Sequence, residues 1–103
     1  MASDLEEMLG NLLDNAGKWA SRRVRVSLRA QPGQRIEVCV EDDGPGLPAE
    51  QMAQVVRRGQ RFDEREGGHG LGLAIVRDIA EVHDGRLELG ASALGGLRCV
   101  LRL

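Results

Sequence analysis

The chain has 103 residues and a mass of 11.2 kDa, which is enough for one domain of ordinary size. Its formal net charge of −2 lacks the basic excess typical of proteins that bind nucleic acids or anionic membranes. No apolar run approaches the roughly 18 residues of a membrane span, and the start lacks the pattern of a signal peptide. We therefore expect a domain that contacts neither nucleic acid nor membrane.

The first half of the chain predicts a helix and a hairpin. Apolar residues at three- and four-residue spacing predict an amphipathic helix over residues 4–20, with Asp4 as its N-cap. Alternation of aliphatic residues with arginines over 24–29 predicts a half-buried strand. A turn at Gln31–Gln34 and a second strand over Ile36–Val40 complete the hairpin.

The second half predicts two more helices and two more strands. Pro48 suits the first turn of a short helix that runs through Val56. Residues 57–70 are charged, rich in glycine and without periodicity, and a loop of that length is usually functional or disordered. A helix over Leu71–His83 follows, and the Asp-Gly pair after it ends that helix.

Two strands close the chain, and the order of elements then indicates a fold. The apolar residues near Leu87 and Leu89 predict one strand, and Leu97–Leu103 predicts another. Helices and strands in this order predict an α+β fold, a two-layer sandwich with an antiparallel or mixed sheet and about three helices on one face. Cys39 and Cys99 lie 60 positions apart in strand-like segments, which indicates two buried free thiols.

The first predicted helix carries a stripe of polar side chains at spacings of four, four and three. The stripe consists of Glu7, Asn11, Asn15 and Lys18. Such a stripe can simply be the solvated face of an amphipathic helix, although asparagine is a poor interior helix former. An acid, two amides and an ammonium group also suit a magnesium-bound phosphate chain. The residues alone leave both interpretations open.

Two glycine-rich segments could also contact a ligand. Asp42–Gly46 follows a strand and is an ordinary turn sequence, but its glycines would let the backbone approach a flat ligand closely. Asp42 could accept a hydrogen bond from an exocyclic amine. Gly68–Leu73 precedes or opens a helix, where free N–H groups favour an anion, although a flexible joint explains it equally well.

Four segments in this order closely resemble the N, G1, F and G2 boxes of sensor histidine kinases. They are residues 11–19, 42–47, 58–62 and 68–76. The resemblance covers residues 4–103 and implies the Bergerat fold of the superfamily that includes gyrase B, Hsp90 and MutL. Residues 1–3 precede this domain. The implied ligands are ATP and Mg²⁺, and the implied location is the cytoplasmic portion of a membrane-bound sensor kinase.

The resemblance implies a role for each polar residue of the first helix. Asn11 is the expected Mg²⁺ ligand, and Asn15 and Lys18 are expected to contact the phosphates or ribose. Glu7 occupies an acidic position that activates water in the hydrolytic relatives. Trp19 is expected against the base or sugar, or else as a hydrophobic anchor under the helix.

The resemblance also assigns the other boxes. Asp42 is the expected acceptor for the adenine amine, with Gly44, Gly46 and Leu47 beside the base. Residues 57–70 are the expected ATP lid, in which Arg58 and Arg61 would clamp phosphates, although Arg58 could equally be a surface charge. The remaining expected nucleotide contacts, of which His69 could instead face solvent, are Gly68, His69, Gly70, Leu71, Gly72 and Leu73.

A kinase of this family transfers the γ-phosphoryl group of ATP to a histidine on a separate dimerisation domain, and a response regulator acts downstream. Lys18 and Arg61 would assist that transfer by neutralising charge. Neither His69 nor His83 has the sequence context of the acceptor, so the chain is not expected to phosphorylate itself. Alternatives are an anti-sigma serine kinase, a hydrolytic ATPase or an interaction module without nucleotide.

Two departures from the family pattern stand out. Arg98 occupies a position where many relatives have a small hydroxyl residue that helps to hold adenine. Relatives also have a further strand before the first boxed helix. A sheet edge is therefore expected to be bare, paired with another chain or covered by residues beyond this sequence, with lower stability or self-association as the consequence.

Overall fold

The computed structural model describes residues 2–56 and 70–103 of the chain. It contains α1 (Ala2–Trp19), β1 (Val24–Gln31), β2 (Arg35–Asp42), α2 (Ala49–Val56), α3 (Gly70–Val82), β3 (Arg86–Ala91) and β4 (Leu97–Arg102). Each predicted helix and strand is present. Residues 57–69, which hold most of the predicted lid, lie outside the described residues.

Several element ends differ from the prediction by a few residues. Helix α1 begins at Ala2, so Asp4 lies in the first turn and is not the N-cap. Its Oδ2 instead lies 2.7 Å from Nε2 of His83, which joins the start of α1 to the end of α3. Gln31 belongs to β1 rather than to the turn, because Gly33 and Gln34 take the left-handed conformations that reverse the chain.

The described strands form one antiparallel sheet in the order β1-β2-β4-β3. The helices pack on one face of it, as the sequence predicted. The core between the two layers is aliphatic and draws on both helices and strands. Its fully buried members include Met8, Leu12, Val38, Val40, Val55, Leu73, Val76, Leu97 and Leu101. Cys39 and Cys99 are buried free thiols, as predicted.

Strand β1 is not half-buried, so that part of the sequence prediction is wrong. Val24, Val26 and Leu28 lie on the helix side of the sheet, yet they are 41%, 51% and 70% exposed. Their alternation places them on the correct side, but α1 packs over β2 and α3 and leaves β1 uncovered. The edge strand expected from the sequence is therefore bare within the described residues.

Helix α2 is held to α3 by a buried arginine that the sequence analysis did not select. Arg77 Nη1 donates to the Val55 carbonyl at 2.7 Å, near the C-terminal end of α2. Carbonyls in the last turn of a helix lack intrahelical partners, and a guanidinium satisfies one here. None of the helices within residues 2–56 and 70–103 is long and apolar enough to cross a membrane.

Candidate functional site

A buried carboxylate lies where β2 ends. Asp42 is only 2% exposed, and its Oδ1 accepts hydrogen bonds from Gly44 N at 2.9 Å and Leu97 N at 3.2 Å. Both of these hydrogen bonds end on Oδ1. A carboxylate offers about four lone-pair positions, so Asp42 has the capacity to accept a further hydrogen bond.

Glycines line the space around this carboxylate. A Cβ added to Gly44 would collide with the Trp19 carbonyl oxygen, and one added to Gly96 would collide with Asp42 Oδ1. Gly46 has a φ of 75°, a conformation that side chains rarely adopt. The backbone is therefore drawn close around Asp42 in a way that only glycine permits.

Arg98 lies away from this site. It is opposite Glu41 in the β2–β4 register, on the face of the sheet that the helices do not cover, whereas Asp42 is on the helix side. The contact that β4 makes with Asp42 comes from the backbone N–H of Leu97. The departure noted at position 98 therefore does not place an arginine side chain beside Asp42.

The second aspartate of the pair fastens the end of α1 to the site. Asp43 Oδ1 accepts from the backbone N–H groups of Ser21 at 2.8 Å and Arg22 at 2.9 Å. Backbone hydrogen bonds, first from Arg22 and then from Arg23, lower the pKa of Asp43. The carboxylate therefore stays ionised and joins segments more than 20 residues apart.

Behind the site, a buried network holds the turn that carries Gly96. Ser92 Oγ donates to Glu41 Oε2 at 2.9 Å and accepts from Leu94 N at 2.9 Å. The backbone N–H of Ser92 donates to the Gly96 carbonyl at 2.8 Å, and the Gly96 N–H donates to the Asp42 carbonyl at 3.1 Å. A hydrogen bond from Arg25 is the main cause of the lowered pKa of Glu41.

The four residues of the polar stripe on α1 differ in how far they are buried. Asn15 is buried, Asn11 is half-buried, and Glu7 and Lys18 are exposed. A purely solvated stripe would leave Asn15 exposed, so the structure disfavours that simple interpretation. The stripe runs along α1 toward Trp19, whose carbonyl lies against Gly44.

Trp19 and Lys18 lie where α1 reaches the Asp42–Gly46 turn. The Lys18 Nζ lies 5.5 Å from the centroid of the half-buried Trp19 ring. A cation at this distance is attracted to the negative face of the ring. The ammonium group is thereby kept near the end of the stripe.

Two predicted contact residues have side chains in the core. Leu73 is fully buried in α3, and Leu47 is buried in the same aliphatic cluster. As whole residues they are 0% and 8% exposed, so the structure presents neither of them on an open surface. Gly70 and Leu71 open α3, and Gly72 follows with free space where a Cβ would lie.

The remaining predicted contacts, Arg58, Arg61, Gly68 and His69, lie outside the described residues. Within residues 2–56 and 70–103, no three His, Cys, Asp or Glu side chains cluster so that they could hold a metal ion.

Residues 2–103 match the family model described as "Histidine kinase-, DNA gyrase B-, and HSP90-like ATPase". The chain belongs to this ATPase family. The sensor protein kinase CarS of Pseudomonas aeruginosa, a curated relative, is 55% identical over 97% of this chain. The chain spans only 22% of the length of CarS.

Solved structures of the family agree with the fold. The ATP-binding domain of PrrB from Mycobacterium tuberculosis has a TM-score of 0.77 at 32% identity, and it covers all of this chain and 68% of its own. Full-length ShkA in complex with AMPPNP has a TM-score of 0.75 at 28% identity and covers 96% of this chain, which spans 21% of ShkA. The α+β sandwich expected for the family is therefore confirmed.

Sequence reasoning selected Asp42 but missed the residues that hold it in place. Asp43, Glu41, Ser92 and Gly96 form the surrounding network. The three adjacent acids at the end of β2 indicate that partners for their carboxylates must lie nearby in the fold. These partners are more than 15 residues away in sequence, so no local pattern identifies them.

Proposed function

We propose that this chain binds Mg·ATP and that, within a longer sensor kinase, it donates the γ-phosphoryl group to a histidine on a separate dimerisation domain. The observation that carries the proposal is the buried Asp42 carboxylate, which two backbone N–H groups hold by Oδ1 inside a glycine-lined turn. The family assignment supplies ATP as the ligand class.

The adenine end of ATP suits the Asp42 turn. Oδ1 is held by two backbone N–H groups, so Oδ2 is the proposed acceptor for an exocyclic amine. An exocyclic amine that donates here would use the remaining acceptor capacity of a carboxylate that is 2% exposed. The Trp19 carbonyl occupies the space where a Gly44 side chain would begin, so the turn stays close to the end of α1.

The phosphate end suits the stripe on α1. The Asn11 side-chain oxygen would hold Mg²⁺, and the Asn15 amide and the Lys18 ammonium would face phosphate oxygens. When bound, Mg²⁺ neutralises phosphate charge. Glu7 occupies the acidic position of the stripe and remains a proposed catalytic residue. Trp19 would pack against the base or sugar.

The lid is proposed from the sequence. Arg58 and Arg61 would clamp phosphates with their planar guanidinium groups, and Arg61 would also assist transfer. Gly68, His69, Gly70 and the backbone of Leu71, Gly72 and Leu73 would complete the phosphate side. Arg77 holds α2 to α3 through the Val55 carbonyl, next to the segment that carries these residues.

The acceptor and the downstream partner are proposed to lie outside this chain. His83 is engaged with Asp4 at 2.7 Å, and its sequence context differs from that of an acceptor histidine. A dimerisation domain of the same kinase would supply the acceptor, and a response regulator would receive the phosphoryl group. Because ATP is the donor, the proposed location is cytoplasmic.

Calorimetric titration with a non-hydrolysable ATP analogue, with Trp19 emission followed in parallel, tests the binding step. Asp42→Asn keeps an acceptor for Gly44 and Leu97 but replaces Oδ2 with a donor, so we expect affinity to fall at least about tenfold. Asp84→Asn is the matched control, because Asp84 is exposed and asparagine tolerates its φ of 58°. Equal affinity of both variants would refute adenine recognition by Asp42.

The metal and transfer steps need separate measurements. Asn11→Ala should reduce the enhancement of binding by Mg²⁺, whereas Gln54→Ala on the exposed face of α2 should not. Radiolabelled ATP should label the dimerisation domain encoded by the same gene only when this chain is added, and it should not label this chain alone. Label on the isolated chain would contradict the proposed division of roles.

A further inference from the structure

The face of the sheet opposite the helices is rich in arginine. Alternation in the four strands places six arginines and three glutamates on it: Arg25, Arg29, Arg35, Arg86, Arg98, Arg102, Glu37, Glu41 and Glu88. This arginine face is therefore net positive on a chain whose formal charge is −2. None of the described helices packs on it.

Half of these arginines are already paired with the glutamates. Arg25 pairs with Glu41 at 2.9 Å and Arg86 with Glu88 at 3.1 Å. Arg102 pairs with Glu88 at 3.0 Å and also with Glu37. The three acids on the face are thus fully engaged.

Three guanidinium groups remain without a carboxylate among the described residues. Arg29 and Arg98 line an open cavity of about 370 Å³ together with Cys39, whose thiol donates to Glu41 Oε1. Arg35 lies beside two smaller cavities at the far end of β2. The free charge therefore borders concave space that a partner could enter.

We propose that the arginine face docks an acidic helix of another protein domain, whose carboxylates pair with Arg29, Arg35 and Arg98. The register places Arg29 and Arg35 at neighbouring diagonal positions, roughly 7–8 Å apart between Cα atoms. Arg29 lies opposite Glu37 and Arg98 opposite Glu41, on the two strands that flank β2, so their Cα atoms are roughly 16 Å apart. Carboxylates about eleven residues apart lie on one face of a helix and span that distance.

The pattern of charge favours discrete carboxylates over a continuous polyanion. Glu37 and Glu41 lie between the free arginines, on the central part of the same face. A phosphate backbone or an anionic membrane would bring further negative charge over both glutamates. A helix can instead place its acids over the arginines and neutral residues over the glutamates. Arginine also suits carboxylates because its planar group binds them through two parallel hydrogen bonds.

Fluorescence anisotropy of a labelled helical peptide tests the proposal with the whole chain. The peptide carries glutamates about eleven residues apart on one face, and a control peptide carries glutamine at those positions. We expect the double variant Arg29→Glu/Arg98→Glu to weaken binding of the glutamate peptide at least about tenfold. Arg22→Glu/Arg23→Glu makes the same change in net charge outside the strands and should leave binding nearly unchanged.

Arg29→Glu and Arg98→Glu place like charges opposite Glu37 and Glu41, so their thermal midpoint should fall, and the titrations are run below that midpoint, with circular dichroism showing that both double variants are folded. Equal binding of the two peptides, or equal loss in the two double variants, would overturn the proposal. The same is true if only duplex DNA or phosphatidylserine vesicles bind the parent chain and lose binding in Arg29→Glu/Arg98→Glu. The readout does not use ATP turnover, so it is independent of the proposed function.

Discussion

The two strands that flank β2 have the same alternation on the same side of the sheet, but only one of them is covered. Val38 lies between Leu28 of β1 and Leu101 of β4, which are 70% and 0% exposed. Val40 likewise lies between Val26 and Cys99, which are 51% and 3% exposed. Alternation therefore determines the side on which a residue lies, whereas burial depends on where the helices pack.

Thiol reactivity should show the largest difference between the two strands. Burial is the main cause that raises the pKa of Cys99 to about 12, and burial also raises the pKa of Cys39. A cysteine introduced by Val26→Cys would be exposed, with a pKa of about 8.5. At about pH 8 we expect it to react on the order of a thousandfold faster than Cys99 with a thiol reagent.

Cys39 borders the open cavity on the arginine face, so alanine replaces it in both chains and the chain without Val26→Cys is the control. Its Cys99 should react only when denaturant is added. Fast reaction of Cys99 without denaturant would show that β4 is not covered as described.

The second largest difference is expected in the free energy of unfolding, when either of the two leucines beside Val38 is replaced by alanine. Leu101→Ala leaves a cavity in the core and should lower the free energy of unfolding by about 3 kcal/mol. Leu28→Ala, its matched control in the same row, should change it by about 0.5 kcal/mol or less. Urea unfolding of both variants measures the difference, and equal losses would mean that β1 is buried in solution.

A smaller effect on stability is expected from the ion pair between Arg25 of β1 and Glu41 of β2, which lie opposite each other in the sheet. Arg25 of β1 lowers the pKa of Glu41, so the ionised form stabilises the fold at pH values above the ordinary glutamate pKa. That stabilisation is lost as the pH falls through the lowered pKa. Glu41→Gln should therefore lose less stability than the parent chain between neutral pH and about pH 3.

Chemical denaturation across that pH range checks the acid prediction. Glu6→Gln, which changes an exposed residue of α1, serves as the control and should follow the parent chain. If Glu41→Gln and Glu6→Gln show the same pH dependence, the pair between β1 and β2 makes no contribution.

The weakest expected effect is self-association through the bare side of β1. We expect concentration-dependent association of the parent chain in sedimentation equilibrium, because three aliphatic side chains on an edge strand are exposed. Val26→Lys should abolish it, whereas Ser27→Lys adds the same charge on the opposite face and should not. A parent chain that stays monomeric at all concentrations would contradict this expectation.

Local patterns were sufficient to predict most of the fold. Helical spacing identified α1 and α3, and alternation identified the strands, because these periods follow from backbone geometry. The same patterns could not predict that Val26 and Leu28 are exposed. That outcome depends on the position of α1 across the sheet, which brings together residues far apart in sequence.

The site was predictable to a similar extent. The residues of α1 and the Asp42 turn could be selected from the sequence, since their spacing and family resemblance are local. The partners of Asp43 and Glu41 could not, because Ser21, Arg22 and Ser92 meet these carboxylates only after the sheet is assembled. Leu47 and Leu73 were predicted to contact the nucleotide, but the sequence alone does not show that their side chains pack in the core.

The order of strands has a consequence for how the domain is made. β4, the last strand in the described chain, lies between β2 and β3, so the sheet cannot close until the ribosome has added residues up to about 102. At typical rates of about 5–20 residues per second, the hairpin of β1 and β2 waits roughly 3–12 seconds for that strand. During translation the nascent hairpin therefore exposes Val38 and Val40 as well as the aliphatic residues of β1, until β4 is available to pair with β2.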